Sequence, residues 1–73
     1  MNESIEILDL RKIPFPQSIV TTKRKLDAMG QGAVTIITDS NISKDKITEF
    51  VIKYGWQASF EKEEPIYKVY ASK

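Results

Sequence analysis

Two helix-like apolar stripes, each closed by a glycine and each followed at once by a strand-like run, constrain the fold of this chain more than any other feature. The clearer stripe is Ile47, Phe50, Val51 and Tyr54, spaced i, i+3, i+4 and i+7 and stopped by Gly55. The other is Ile19, Thr22, Leu26 and Met29, stopped by Gly30-Gln31-Gly32, where a glycine is available for a left-handed cap. Between them Ala33–Thr38 is short, β-branched and almost continuously apolar, the pattern of a central strand. Such a change of period, repeated within 73 residues, calls for helices packed on a sheet and leaves little freedom of topology.

The remaining segments complete that topology. Ser4–Leu10 alternates as a strand, with Ile5 and Ile7 on one side and Glu6 on the other. Asp9–Phe15 is a loop, because Pro14 and Pro16 prevent regular pairing, and Pro16 suits the first position of a helix. Asp39-Ser40-Asn41 reads as a turn, with Ser43 as N-cap of the second helix and an Ile42–Ile47 hydrophobic staple. Trp56, Ala58 and Phe60 alternate with polar residues as a third strand, Lys62–Pro65 turns, and Ile66–Ala71 forms the last strand. The order is βαβαββ over a single domain, residues 1–73. Two helices cannot cover both faces of a sheet, so the expected architecture is an α/β (α+β) two-layer sandwich: a mixed four-stranded sheet, two helices on one face, the other face open.

Composition narrows the chemistry. The chain has no cysteine and no histidine, so it offers neither a thiol nucleophile nor the side chain that most readily exchanges protons near neutral pH. No disulfide or cysteine–histidine zinc site can form, and no metal or other cofactor is expected; Glu61, Glu63 and Glu64 read as a solvated turn. With 11 basic and 10 acidic residues there is no overall field favouring nucleic acid. No apolar run approaches the ~20 residues of a membrane span, and Met1–Ser4 lacks a signal-peptide pattern, so the expected location is cytoplasmic with no membrane partner.

The segment Asp9-Leu10-Arg11-Lys12-Ile13-Pro14-Phe15-Pro16-Gln17-Ser18 has the outline D-x-R-G-x-x-C-P-x-P. On these residues, together with the βαβαββ order, Gly32 before the second strand, Asp39 after it, and Ile47, Phe50 and Gly55 in and after the second helix, the chain resembles the TusA/SirA-like sulfur-carrier family. The likeness is strongest to the domain that opens selenium-metabolism proteins of the YedF type. In that family the motif cysteine carries sulfur as a persulfide. Here Lys12 stands for the motif glycine, Phe15 for the cysteine and Ser18 for the second proline. The resemblance thus implies the fold and a lineage in sulfur or selenium transfer, while a persulfide needs a sulfur nucleophile that phenylalanine cannot supply.

The candidate sites follow from this. The start of the first helix is a place where backbone N–H groups can converge on an anion, with Ser18, Arg11 and Lys12 adding donors; the competing expectation is that Phe15 packs as a plug over the old site. Ser18 as a nucleophile lacks a base. Lys23-Arg24-Lys25, with Arg11 and Lys12, forms a basic cluster whose plainest reading is a solvated helix face partly balanced by Asp27; the resemblance implies a protein partner there, and the alternative is RNA or a nucleotide. Trp56, Phe60, Tyr67 and Tyr70 are read as core packing rather than a base-stacking face. The leading expectation is therefore a non-catalytic binding or regulatory module. Its contact surface would be Arg11, Lys12, Pro16, Ser18, Lys23 and Arg24, with self-association through the open sheet face as a further contact.

Overall fold

The structure, a computed structural model, describes residues 6–73. The elements are β1 (Glu6–Asp9), α1 (Gln17–Met29), β2 (Ala33–Thr38), α2 (Asn41–Lys53), β3 (Gln57–Glu63) and β4 (Ile66–Ser72). They form a four-stranded sheet of order β1-β2-β4-β3, with β1 parallel to β2 and the other neighbours antiparallel. The βαβαββ two-layer sandwich expected from the sequence is the architecture found.

Burial alternates strictly along β2: Val34, Ile36 and Thr38 lie under the helices, while Ala33, Thr35 and Ile37 face the open side. Register carries this phase across the sheet, aligning Ile36 with Leu8 on one side and Val69 on the other. The core is Leu10, Leu26, Val34, Ile36, Ile47, Val51, Trp56, Val69 and Ala71, with Leu8, Ile13, Ile19, Met29, Phe50, Tyr54 and Ala58 packed around it. At about 25 cal/mol per Å² of apolar surface removed from water, this cluster is the main favourable term in a chain without covalent staples.

Several local expectations are corrected. In β1 the covered residue is Leu8, not Ile7, which is 65% exposed on the open face; pairing of Leu8 with Ile36 sets the phase. Ser4 and Ile5 lie outside the described residues. Helix α2 starts earlier than expected: its N-cap is Ser40, in extended geometry, whose hydroxyl accepts the Ser43 N–H. Ser43 is thereby a buried residue within the first turn, and Ile42 is exposed at 66% rather than stapled to Ile47. Pro16 stands just before α1, at the cap position, rather than inside it. Trp56 is buried but precedes β3, and Phe60 is only half-buried because β3 is an edge strand. Gly30 and Gly55 end the helices with positive φ, as their positions after each stripe imply.

Candidate functional site

The loop between β1 and α1 is held by two carboxylates at the carboxyl ends of the parallel strands. Asp9, the last residue of β1, accepts the Arg11 backbone N–H at 3.0 Å, the geometry of an aspartate turn. The same carboxylate takes the Arg11 guanidinium in a fork, with Nε 3.0 Å from Oδ1 and Nη2 2.7 Å from Oδ2. The side-chain hydrogen bond from Arg11, followed by its backbone N–H, holds the Asp9 pKa down at about 2. Asp39, just after β2, accepts the Lys12 N–H at 3.1 Å. Leu10 continues the sheet pairing through Ile37 and is buried, and Ile13 N–H closes a turn on the Leu10 carbonyl.

At the top of that turn Lys12 has φ of +71°, the left-handed region a side chain rarely adopts. Glycine adopts this region without the Cβ penalty that any other side chain meets. In this chain a lysine holds the same backbone, and its ammonium makes no ion pair among the described residues.

The start of α1 differs from the expected anion cradle. The Ser18 N–H is taken by the Pro14 carbonyl at 3.0 Å, and the Ile19 and Val20 N–H groups by the Pro16 carbonyl at 3.0 and 3.3 Å. Donors that were to converge on a ligand are thus satisfied within the loop. Ser18 itself is fully buried, on the same face as Thr22 and Leu26, and its hydroxyl has no hydrogen-bond partner among the described residues. It adds no donor to the solvent-facing surface. The Phe15–Pro16 bond is cis.

Phe15 is 48% exposed and so does not seal the site as a plug. One side of its ring borders an open cleft of about 520 Å³ that Lys12, Ile13, Asp39 and Ile42 also line. The other borders a smaller hollow, about 180 Å³, with Ile19, Phe50 and the charged residues Lys46, Glu49 and Lys53. The exposed isoleucine at position 42 was not singled out by sequence reasoning, because the assumed staple turned it inward; the extended conformation of Ser40 is what turns it out.

The basic cluster is divided by the fold. Lys23 pairs with Asp27 at 2.9 Å and lies 5.7 Å from the Tyr54 ring centroid, and Lys25 pairs with Glu6 at 2.6 Å. Asp27 also accepts the Tyr54 hydroxyl, which joins α1 to α2. Arg24 makes no ion pair among the described residues. Also missed by the sequence reading is Lys44, buried in the first turn of α2. Its ammonium lies 2.9 Å from Asp45 and 4.0 Å from the Phe60 ring centroid, fastening the β3–β4 hairpin to the helix. Among the described residues no histidine, cysteine, aspartate and glutamate grouping suits a metal ion, and no helix is long and apolar enough to cross a membrane.

Sequence and fold both match known proteins. A family model described as sulfurtransferase TusA matches residues 6–73. No curated protein sequence matches significantly. Among solved structures, the crystal structure of a SirA-like protein from Desulfitobacterium hafniense superposes with a TM-score of 0.84 at 22% identity, covering 93% of this chain and 96% of that one. At this identity the likeness speaks for the fold. With the family model spanning every described element, from β1 and its carboxylate-anchored loop to the end of β4, this chain belongs to the TusA sulfurtransferase family.

Proposed function

We propose that this domain is a thiol-free member of the family that works as a non-catalytic binding module, docking a protein partner of sulfur or selenium transfer in the cytoplasm. The observation that carries this reading is Phe15. It occupies the position of the family cysteine in a chain that has no cysteine, yet it is half-exposed beside exposed Ile42 rather than folded into the core. Half-exposed aromatic and aliphatic side chains at a loop tip are the usual anchors of protein recognition. The contact surface is the loop from Arg11 to Gln17, with Arg11 and Lys12 displaying charge and Pro16 fixing the loop's exit; Ser18, fully buried, is not part of it. The exposed side of α1, Lys23 and Arg24 included, adjoins it.

The test is sulfur loading read by intact mass. With a persulfide-charged donor protein the wild-type chain gains no sulfur. Phe15→Cys gains one: the terminal sulfur of the donor passes to the new thiolate and leaves the donor as its thiolate. Sulfur acquired by the wild-type chain would overturn the non-catalytic reading.

An RNA-binding surface on α1 is the second reading, and Arg24 and Lys12, which have no carboxylate partner among the described residues, favour it. The pairing of Lys23 with Asp27 and of Lys25 with Glu6 weighs against it, since phosphate must compete with those carboxylates. A salt-sensitive mobility shift of RNA, lost when Lys23, Arg24 and Lys25 become alanine, would place it first. Self-association through the open sheet face ranks lower. That face mixes Ile7, Ile37 and Tyr70 with Asp9, Glu61, Glu63 and Lys68, a combination that water solvates well.

A further inference from the structure

Lys12 and the cleft beside it support a more specific statement about the partner, one that rests on the docking role proposed above. Three observations meet there. First, Lys12 keeps a left-handed backbone, φ +71°, that disfavours any side chain, so the strained residue of the loop is one that carries a cation. Second, the Lys12 ammonium pairs with no carboxylate among the described residues, whereas neighbouring Arg11 gives its Nε and Nη2 to Asp9. Third, the cleft that Lys12 borders is otherwise mostly apolar: Ile13, Phe15 and Ile42 line it, the last two 48% and 66% exposed. Its one carboxylate, Asp39, already holds the Lys12 backbone N–H through Oδ2.

A cleft of about 520 Å³ is of a size to take one or two amino-acid side chains. Its chemistry is an apolar wall with two charged residues in its lining: Lys12, which makes no ion pair among the described residues, and Asp39, whose Oδ2 accepts the Lys12 backbone N–H. We propose that this cleft receives an extended acidic peptide segment of the partner, in which an aliphatic side chain packs against Phe15 and Ile42 while an adjacent Asp or Glu carboxylate pairs with Lys12. Along the cleft and the hollow beyond Phe15, Lys12, Lys46 and Lys53 exceed Asp39 and Glu49 by one positive charge, and this favours an acidic segment over a neutral one. On the far side of Phe15, Lys46 and Lys53 outnumber Glu49, so an acidic segment running past the ring meets the same sign of charge.

The test is an NMR titration of the isotopically labelled full chain with three capped peptides, Ac-Leu-Asp-Leu-NH2, Ac-Leu-Asn-Leu-NH2 and Ac-Leu-Lys-Leu-NH2. The expected result is amide shifts clustered at Lys12, Ile13, Phe15 and Ile42. The aspartate peptide should bind about threefold or more tighter than the asparagine one, as one partly exposed ion pair allows, and the lysine peptide weakest. Lys12→Gly should abolish the preference for aspartate over asparagine and leave the shifts at Phe15 and Ile42. This variant relieves the backbone strain, so misfolding does not obscure the outcome. Equal binding of the aspartate and asparagine peptides at the cleft would overturn the inference and leave the docking role standing. If no peptide perturbs the cleft, or if its residues respond only to raised protein concentration or to an RNA oligonucleotide, the inference and its supporting role fall together.

Discussion

Position 12 carries opposing demands on one residue. Its backbone must turn left-handed so that its N–H reaches Asp39 and Ile13 can fold back to the core, yet its side chain is a lysine. A non-glycine residue in this region costs about 1–2 kcal/mol, and glycine returns roughly half of that as unfolded-state entropy. Lys12→Gly is therefore expected to raise unfolding free energy by about 0.5–1 kcal/mol, measured by urea denaturation. An unchanged or lower midpoint would mean that the lysine side chain contributes packing that offsets the strain. Ser18 presents the converse case, a polar group where none is needed. Its hydroxyl is buried without a partner among the described residues, and Ser18→Ala removes an unsatisfied group while improving helix propensity, for a gain of about 1 kcal/mol. A loss of stability in that variant would show that the hydroxyl has a bound partner, such as an ordered water, and would reopen a polar role for it.

Helices α1 and α2 are joined at their outer surface by a link that titrates. Asp27 accepts from both the Tyr54 hydroxyl and the Lys23 ammonium, and Tyr54 stacks on Phe50 with ring centroids 5.0 Å apart. The hydrogen bond from Tyr54, then that from Lys23, holds the Asp27 pKa below the ordinary carboxylate value. The hydrogen bond to Asp27 in turn raises the Tyr54 pKa above the ordinary phenol value. The signs are opposite and so are the windows. The contribution of Asp27 is complete above its unfolded-state pKa and is lost as pH falls through its lowered value. That of Tyr54 is complete below its unfolded-state pKa and is lost as pH rises through its raised value. Thermal midpoints should therefore be level between mildly acidic and mildly alkaline pH and fall at both ends. Tyr54→Phe should lessen the alkaline fall, to which Tyr70, raised by its hydrogen bond to Glu61, still contributes, and soften the acid one, since Asp27 keeps Lys23. An alkaline limb with the same slope in that variant would show that the link carries no stability. The Asp27 charge beside the basic cluster was visible in the sequence, but its link to Tyr54 was not, since Tyr54 appears there only as the last residue of an apolar stripe. Its ring answers to the helical period, while its hydroxyl answers to a residue on another helix.

For the molecule as a whole, the sequence was legible wherever period and burial coincide. β2 and the α2 stripe lie in the covered layer, so their apolar spacing and their faces are one pattern, and the βαβαββ order followed. Legibility failed where a single hydrogen bond or a register decides. Ser40 and Ser43 are equally good caps by type, and only the turn after β2 selects Ser40; β1 alternates in either phase until Leu8 meets Ile36. The site was half-legible for the same reason: the missing thiol is a matter of residue identity, but the exposure of Phe15 depends on how Asp9 and Asp39 fix the loop. That exposure makes scaffold and site separable. At roughly 0.05–0.15 kcal/mol per residue, a 73-residue domain has only about 4–11 kcal/mol of total stability. Ile36, fully buried at the centre of the sheet, should cost about 2–5 kcal/mol when cut to alanine, enough to unfold much of the population. Phe15→Ala should cost less than about 0.5 kcal/mol, the range of surface substitutions, despite removing a larger side chain. Urea denaturation of the two variants beside the wild type decides it. If Phe15→Ala costs as much as Ile36→Ala, the ring is a structural plug, and the loop loses its claim to be the docking surface.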